Sequence, residues 1–313
     1  MSEPTTTPSR VLGPRRSVLT TSAGTHLGSF TPLDWAMFAS IGSIWGSSFL
    51  LIAIGLDAFE PGLITWLRIV CGASVLWLVP AARQRIHRED VPRLVALSLL
   101  WVAIPFTLFP LAEQHITSAL TGLVNGAVPI FAVAIGSVML RRAPGRAQAL
   151  GLVVGFLGIA AIALPSLNEG SSEATGVIYA MVATICYGLA INIAAPLTQR
   201  YGSLPVIARM LALACLWTLP IGLTSLGGSE LAWQSLLAVA VLGIVGTGVA
   251  FVLMGHLVSR TGSRASFATY LIPVVALILG VVFRGDEVHL ISIVGVGLVI
   301  LGAVLASRKE RSA

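Results

Sequence analysis

Arg68 and Arg209 are the only full charges inside the long apolar runs of this chain. Placing an arginine at the centre of a membrane helix costs roughly 2.5–3.5 kcal/mol, so each needs a reason to be there. Arg209 lies near the end of its run, where its long stem covers apolar surface and its head reaches water. Arg68 lies deeper, with the acidic loop Asp57 to Glu60 nearby. Its planar guanidinium offers a two-pronged donor, which either attracts a substrate carboxylate or ties one helix to its neighbour.

Other groups able to make specific contacts are sparse. Asn125, Asn192, Thr269 and Tyr270 put hydrogen-bonding atoms at depth. Interhelical polar bonds average only ~0.6 kcal/mol where they have been cycled in a membrane, so glue alone is a weak reason for them. Substrate contact is the preferred reading for Asn125 and Tyr270. Trp45 and Tyr187 occupy matching places away from the interfacial belt, each followed by glycine, and could wall an apolar pocket with one polar edge. Pro129 and Pro273 near the middle of their runs predict kinks that free a backbone carbonyl toward a cavity. His256 falls at a run's end, within reach of water. No carboxylate falls in the interior of a run, Asp34 and Glu113 being at ends. Exchange or facilitated diffusion is therefore expected rather than carboxylate-based proton coupling. No HExxH helix, GxSxG elbow or buried carboxylate pair is present, so no catalytic residue, metal or cofactor is expected.

These residues sit in a lipid-soluble frame. The chain is 56% hydrophobic and 10% charged, with mean hydropathy +0.92, against about 25% charged residues in soluble domains. Cys71, Cys186 and Cys215 all lie in apolar runs and suggest no disulfide framework. The net charge of +6 does not indicate nucleic acid, because the arginines are scattered over short loops rather than gathered with aromatics on one face. Residues 1–33, rich in Ser, Thr and Pro, read as a disordered cytoplasmic tail before an uncleaved first anchor.

Runs of roughly 20 apolar residues, each long enough to cross the hydrocarbon core as a helix, fall near 35–55, 62–81, 94–112, 118–140 and 148–165, then near 175–195, 205–223, 233–257, 265–283 and 289–307. Sixteen of the nineteen basic residues then collect on one side and Arg284 stands alone on the other. The positive-inside rule puts both termini in the cytoplasm. The expectation is an all-α polytopic protein of ten transmembrane helices in the cell (inner) membrane.

A repeat underlies the ten. Shifting the chain by 144 residues superposes Pro129 on Pro273, Gly136 on Gly280, Gly151 on Gly295 and Gly158 on Gly302 without a gap. Thr269 is likewise the mate of Asn125. Each copy holds five runs, an odd number, so the second copy enters the membrane upside down. The expected domains are thus two inverted five-helix repeats, 34–166 and 174–308, with a short tail at 309–313. Inverted repeats recur in secondary transporters, where similar halves open a midplane site alternately. The spaced glycines of the fifth and tenth runs, Gly151, Gly155 and Gly158 with Gly295 and Gly302, read as helix-packing seams.

The chain resembles the drug/metabolite transporter superfamily, with two tandem EamA-type domains over about residues 36–308. The resemblance rests on Ile44-Trp45-Gly46-Ser47-Ser48-Phe49, Leu67-Arg68, the small residues before Pro129, and Gly151 with Gly158. In the second half it rests on Arg264-Ala265-Ser266 before Pro273, Gly285-Asp286, Gly295 and Gly302. It implies export or exchange of amino acids, metabolites or toxic compounds. Two positions depart from the pattern: Ala53 stands where members often carry lysine, and Arg142 where many are acidic. The missing lysine argues against a strongly anionic substrate such as a phosphorylated sugar. The expected partners are a small-molecule substrate and the bilayer, with homodimerisation left open. The alternatives are a lipid flippase of the same fold and, less favoured, an intramembrane enzyme or a non-transporting membrane partner.

Overall fold

The computed structural model describes residues 31–139, 141, 145–169 and 171–307. Residues 1–30, Arg142 and the C-terminal tail lie outside the described residues, and the first helix already starts at Pro32, within the stretch expected to be tail.

Among the described residues every element is helical. In chain order they are α1 (Pro32–Leu56), α2 (Pro61–Trp77), α3 (Arg88–Glu113), α4 (Ser118–Met139), α5 (Arg146–Glu169), α6 (Ser171–Tyr201), α7 (Ser203–Gly228), α8 (Trp233–Thr261), α9 (Ala268–Arg284) and α10 (Leu290–Ser307). Helices α1, α3, α4, α6, α7 and α8 are long and apolar enough to cross a membrane, and α2, α5, α9 and α10 contribute shorter apolar stretches. Large apolar side chains such as Phe156, Trp217, Val282 and Phe283 remain exposed on the outside of the bundle, as lipid-facing surfaces require.

Helix ends obey local chemistry. Thr31 and Asp34 form a capping box, each side chain accepting the other's backbone N–H, with Pro32 opening α1. Thr117 caps α4 by accepting Leu120 N–H. Gly285 ends α9 with φ +66°, the left-handed conformation in which glycine carries no Cβ penalty. Its 144-residue mate, Arg141, takes φ +51°. Two internal irregularities repeat on the same frame: π-helical turns occur over Ser98–Ala103 in α3 and over Leu242–Val249 in α8.

Packing is pairwise. Helix α1 lies on α9 and α6 on α4; α2 lies on α8 and α7 on α3; α3 lies on α6 and α8 on α1. Helices α2 and α7, α4 and α9, and α5 and α10 pair directly. The α5–α10 contact is a glycine seam. A Cβ on Gly158 would stand 2.6 Å from Gly295 O, and one on Gly295 2.7 Å from Gly158 O.

Two apolar cores fill the bundle. One centres on Trp101, Phe106 and Phe251, the other on Phe49, Ile64 and Phe109. Trp45 and Tyr187 pack against both. A chamber lies at that junction.

Candidate functional site

The chamber draws on six helices. Helix α1 supplies Trp45, Phe49 and Ile52 at helical spacing, with Ser48. Arg68 comes from α2, Trp101, Phe106 and Phe109 from α3, Asn125 and Val128 from α4, Tyr187 and Ile191 from α6, and Thr269 from α9. The structure thus brings together Trp45, Arg68, Asn125, Tyr187 and Thr269 of the nine residues singled out in the sequence.

Its walls are mainly aromatic. Phe251 meets Trp45 edge-on at 5.2 Å, Trp101 at 5.5 Å and Phe106 at 5.6 Å. Phe109 meets Phe49 at 5.4 Å and Tyr187 at 5.7 Å. Such pairs add about 0.5–1.5 kcal/mol each beyond area burial, so the rings define a stiff box.

Arg68 is the box's single cation. It is 3% exposed, and its guanidinium carbon lies 3.6 Å from the centre of the Phe106 ring, where the negative ring face attracts it. Nε donates to Thr247 Oγ1 at 3.3 Å. No other hydrogen bond reaches the guanidinium among the described residues, so the terminal nitrogens keep their donors. Facing the same space, Asn125 is buried, and its Oδ1 has no hydrogen-bond partner. A buried polar group left unpaired costs about 1–3 kcal/mol. The chamber therefore holds unused donors on one wall and an unused acceptor on another.

The π-turn of α8 anchors both ends of this arrangement. It offers Thr247 to Arg68, and Trp45 Nε1 donates to Gly246 O at 2.9 Å. Gly243 and Gly72 let α2 and α8 approach this closely: a Cβ on Gly243 would stand 2.7 Å from Arg68 O, and one on Gly72 2.8 Å from Gly243 O. Neither Thr247 nor the Phe106 shelf belongs to the set picked from the sequence. The run Gly243, Gly246, Gly248 around Thr247 is the signal that could have marked the spot.

Four of the nine singled-out residues lie outside the chamber lining. Asn192 ties α6 to α4, its amide donating to Ala132 O and Gly188 O at 2.9 Å each. Tyr270 is half-buried and its ring packs on the Phe49 core. Pro129 and Pro273 lie beside irregular turns inside their spans. The chain breaks before them, at Gly126–Ala127 and over Gly262–Tyr270, and each proline stands in the first turn of the helix that resumes. A first-turn N–H has no intrahelical acceptor, so its absence costs little there. The prolines mark the breaks that expose Asn125 and Thr269 to the chamber. Glu113 ends α3, the position the sequence implies, and both its carboxylate oxygens are buried and without a hydrogen-bond partner. Arg209, as expected, reaches out, donating to Ala82 O and Arg83 O at 2.9 and 3.0 Å.

Both ends of the bundle are clasped. At one end Asp34 pairs with Arg260 at 2.7 Å, and Asp90 accepts from Arg200 at 2.7 Å and from the Tyr201 hydroxyl at 2.6 Å. At the other, Arg284 forks onto Asp57 at 2.9 and 3.0 Å. There Asp286 also accepts from Ser118 Oγ at 2.7 Å and Ala119 N at 2.9 Å. The chamber between them has a cavity of about 30 Å³, room for a water rather than a metabolite.

A helical bundle with lipid-facing flanks and a clasped internal chamber carrying a buried cation defines a multi-pass membrane carrier. The profile of the EamA-like transporter family matches residues 34–164 and again 174–308. The chain belongs to that family and is a membrane transporter, not an enzyme. Curated relatives align over most of their length. An uncharacterized transporter of Archaeoglobus fulgidus is 25% identical over 280 residues, covering 88% of this chain and 99% of the relative. A "probable terminal-alkyne amino-acid exporter" of Streptantibioticus cattleyicolor is 26% identical, covering 88% and 93%. The uncharacterized inner membrane transporter YedA of Escherichia coli K12 is 25% identical, covering 88% and 90%. A solved crystal structure shares the fold, with TM-score 0.63 at 19% identity over 88% of this chain and 96% of the other.

Proposed function

We propose that this protein is a secondary transporter that exports or exchanges small amino-acid-like compounds by alternating access, with Arg68 taking the substrate carboxylate. The observation that carries this reading is the pairing of unused donors on the buried Arg68 with the unused acceptor of Asn125 inside an aromatic box. A carboxylate satisfies the first, an ammonium or hydroxyl the second, and an apolar side chain the rings. The relative named for amino-acid export supports the same substrate class.

Ten crossings in two inverted repeats, 34–166 and 174–308, form the frame of the mechanism. The packing supports this, because exchanging each helix for the one five places on maps the helix pairs named above onto one another. The clasps support it too: each joins helix ends that a ten-crossing path places on one side of the membrane. On that path the basic-rich end, with Asp34–Arg260 and both termini, is cytoplasmic. The 30 Å³ cavity fits a closed intermediate, which must loosen one clasp before an amino acid of ordinary size enters.

The test is counterflow in proteoliposomes with a panel of apolar amino acids, their amides and their decarboxylated amines. Amino acids should exchange and the other two classes should not. Equal exchange of amide and acid would remove Arg68 from the role given to it. Altered lipid sidedness without solute exchange would favour the flippase instead.

A further inference from the structure

Glu113 is used by none of the contacts above. Both its oxygens are inaccessible and lack a hydrogen-bond partner, although it borders an open cleft of about 420 Å³ at the Asp57–Arg284 end, lined also by His115, Glu173, Glu287 and His289. The neighbouring carboxylate, Asp286, has drawn the local donors, the Ser118 hydroxyl and the Ala119 amide. His115 Nδ1 is engaged with Ser172 Oγ at 2.9 Å. Glu113 lies two turns beyond Phe106 on the same face of α3, Phe106 being the ring beneath Arg68, and Asp286 and Arg284 stand at the same end of the bundle. Arg284 is already forked onto Asp57, so Arg68 is the free cation of the set.

An unpaired anion in so dry a place costs several kcal/mol. Two events can remove that cost, a bound cation or a bound proton. Oxygens closed to solvent admit a proton but not an ammonium.

We infer that Glu113 is a proton-binding site linked to the chamber through Arg68, so that one proton binds at Glu113 as a substrate carboxylate binds at Arg68. In the empty carrier Arg68 is balanced electrostatically by the Glu113 anion. In the loaded carrier the substrate carboxylate balances Arg68, and a proton from water in the cleft converts Glu113 to the neutral acid. Arg68, Glu113 and the bound carboxylate sum to zero charge in both states, the substrate's ammonium being held apart at Asn125. Carboxylate coupling at Glu113 thus replaces the sequence-based expectation of transport without it. The linkage rests on the proposed substrate role of Arg68, whereas the proton site itself does not.

Two measurements on full-length protein in lipid separate these parts. Infrared difference spectra across a pH titration, without any substrate, should show the C=O stretch of a buried carboxylic acid in wild type and lose it in Glu113→Gln. An unchanged band in the variant, or no band in wild type, overturns the proton site. Binding of leucine is then titrated against pH. Wild type should bind up to tenfold more tightly per unit fall in pH across the range where the infrared band appears, and Glu113→Gln should bind at every pH like the protonated wild type. If leucine binds wild type without pH dependence, the linkage is overturned. If leucine does not bind at all while the infrared band behaves as described, it is the Arg68 substrate reading that has failed.

Discussion

Gly158→Ala is the sharpest probe of the symmetric frame, because its cost can be worked from distances. The added Cβ would sit 2.6 Å from Gly295 O and from Val299 N, both backbone atoms of α10. Ordinary contact begins near 3.4 Å, so the helices must part by about 0.8 Å. Neither backbone can swing aside as a side-chain tip would. Overpacking of this kind costs about 1–3 kcal/mol, and the backbone clash places it in the upper part of that range. Replacing glycine within a helix returns about 0.8–1.0 kcal/mol of propensity. The net expectation is a loss of about 1–2 kcal/mol. Gly297→Ala on the same helix is the control: nothing lies within 4 Å of its Cβ, so only the propensity gain remains. Thermal unfolding in one detergent should therefore give Tm values in the order Gly297→Ala, wild type, Gly158→Ala. Gly295→Ala should match Gly158→Ala, and the double variant should fall short of the sum, since one separation accommodates both methyl groups. Gly158→Ala as stable as Gly297→Ala would refute the seam.

Thr247→Val removes the acceptor of Arg68 Nε while keeping the side chain's shape; leaving that buried donor unpaired should cost about 1–3 kcal/mol, read as a lower Tm, and should weaken leucine binding several-fold in calorimetry. Arg284→Gln breaks the Asp57 fork, whose partners are 35% and 50% exposed, so the loss should stay within about 0.2–1 kcal/mol and vanish when unfolding is repeated in high salt.

Much of the frame was legible in the sequence because lipid leaves few choices. Polar and aromatic groups at depth are costly, so Trp45, Arg68, Asn125, Tyr187 and Thr269 stood out, and the structure gathers them at one chamber. The packing glycines were legible for a similar reason, since small residues at regular spacing permit close helix approach. The rest depended on local geometry that an even α-helical period conceals. Each π-turn in α3 and α8 rotates the remainder of its helix relative to a regular one, which is why Thr247 and the Phe106 shelf escaped notice. Glu113 was placed correctly along the chain, but its surroundings are set by Ser118 and Ala119, which give their donors to Asp286 instead. Pro129 and Pro273 are legible as helix interrupters, whereas the extent of the irregular turns before them, Gly126–Ala127 and Gly262–Tyr270, carries no hydropathy signal.

Transport as proposed turns on recognition of a carboxylate by the Arg68 fork. Calorimetric binding of leucine and leucinamide to wild type and Arg68→Lys tests this step without intermediaries. Lysine keeps the charge but presents a point rather than a planar pair of donors. Wild type should prefer the acid by at least tenfold, about 1.4 kcal/mol, and Arg68→Lys should lose most of this preference while still folding. Undiminished discrimination in Arg68→Lys would contradict the fork.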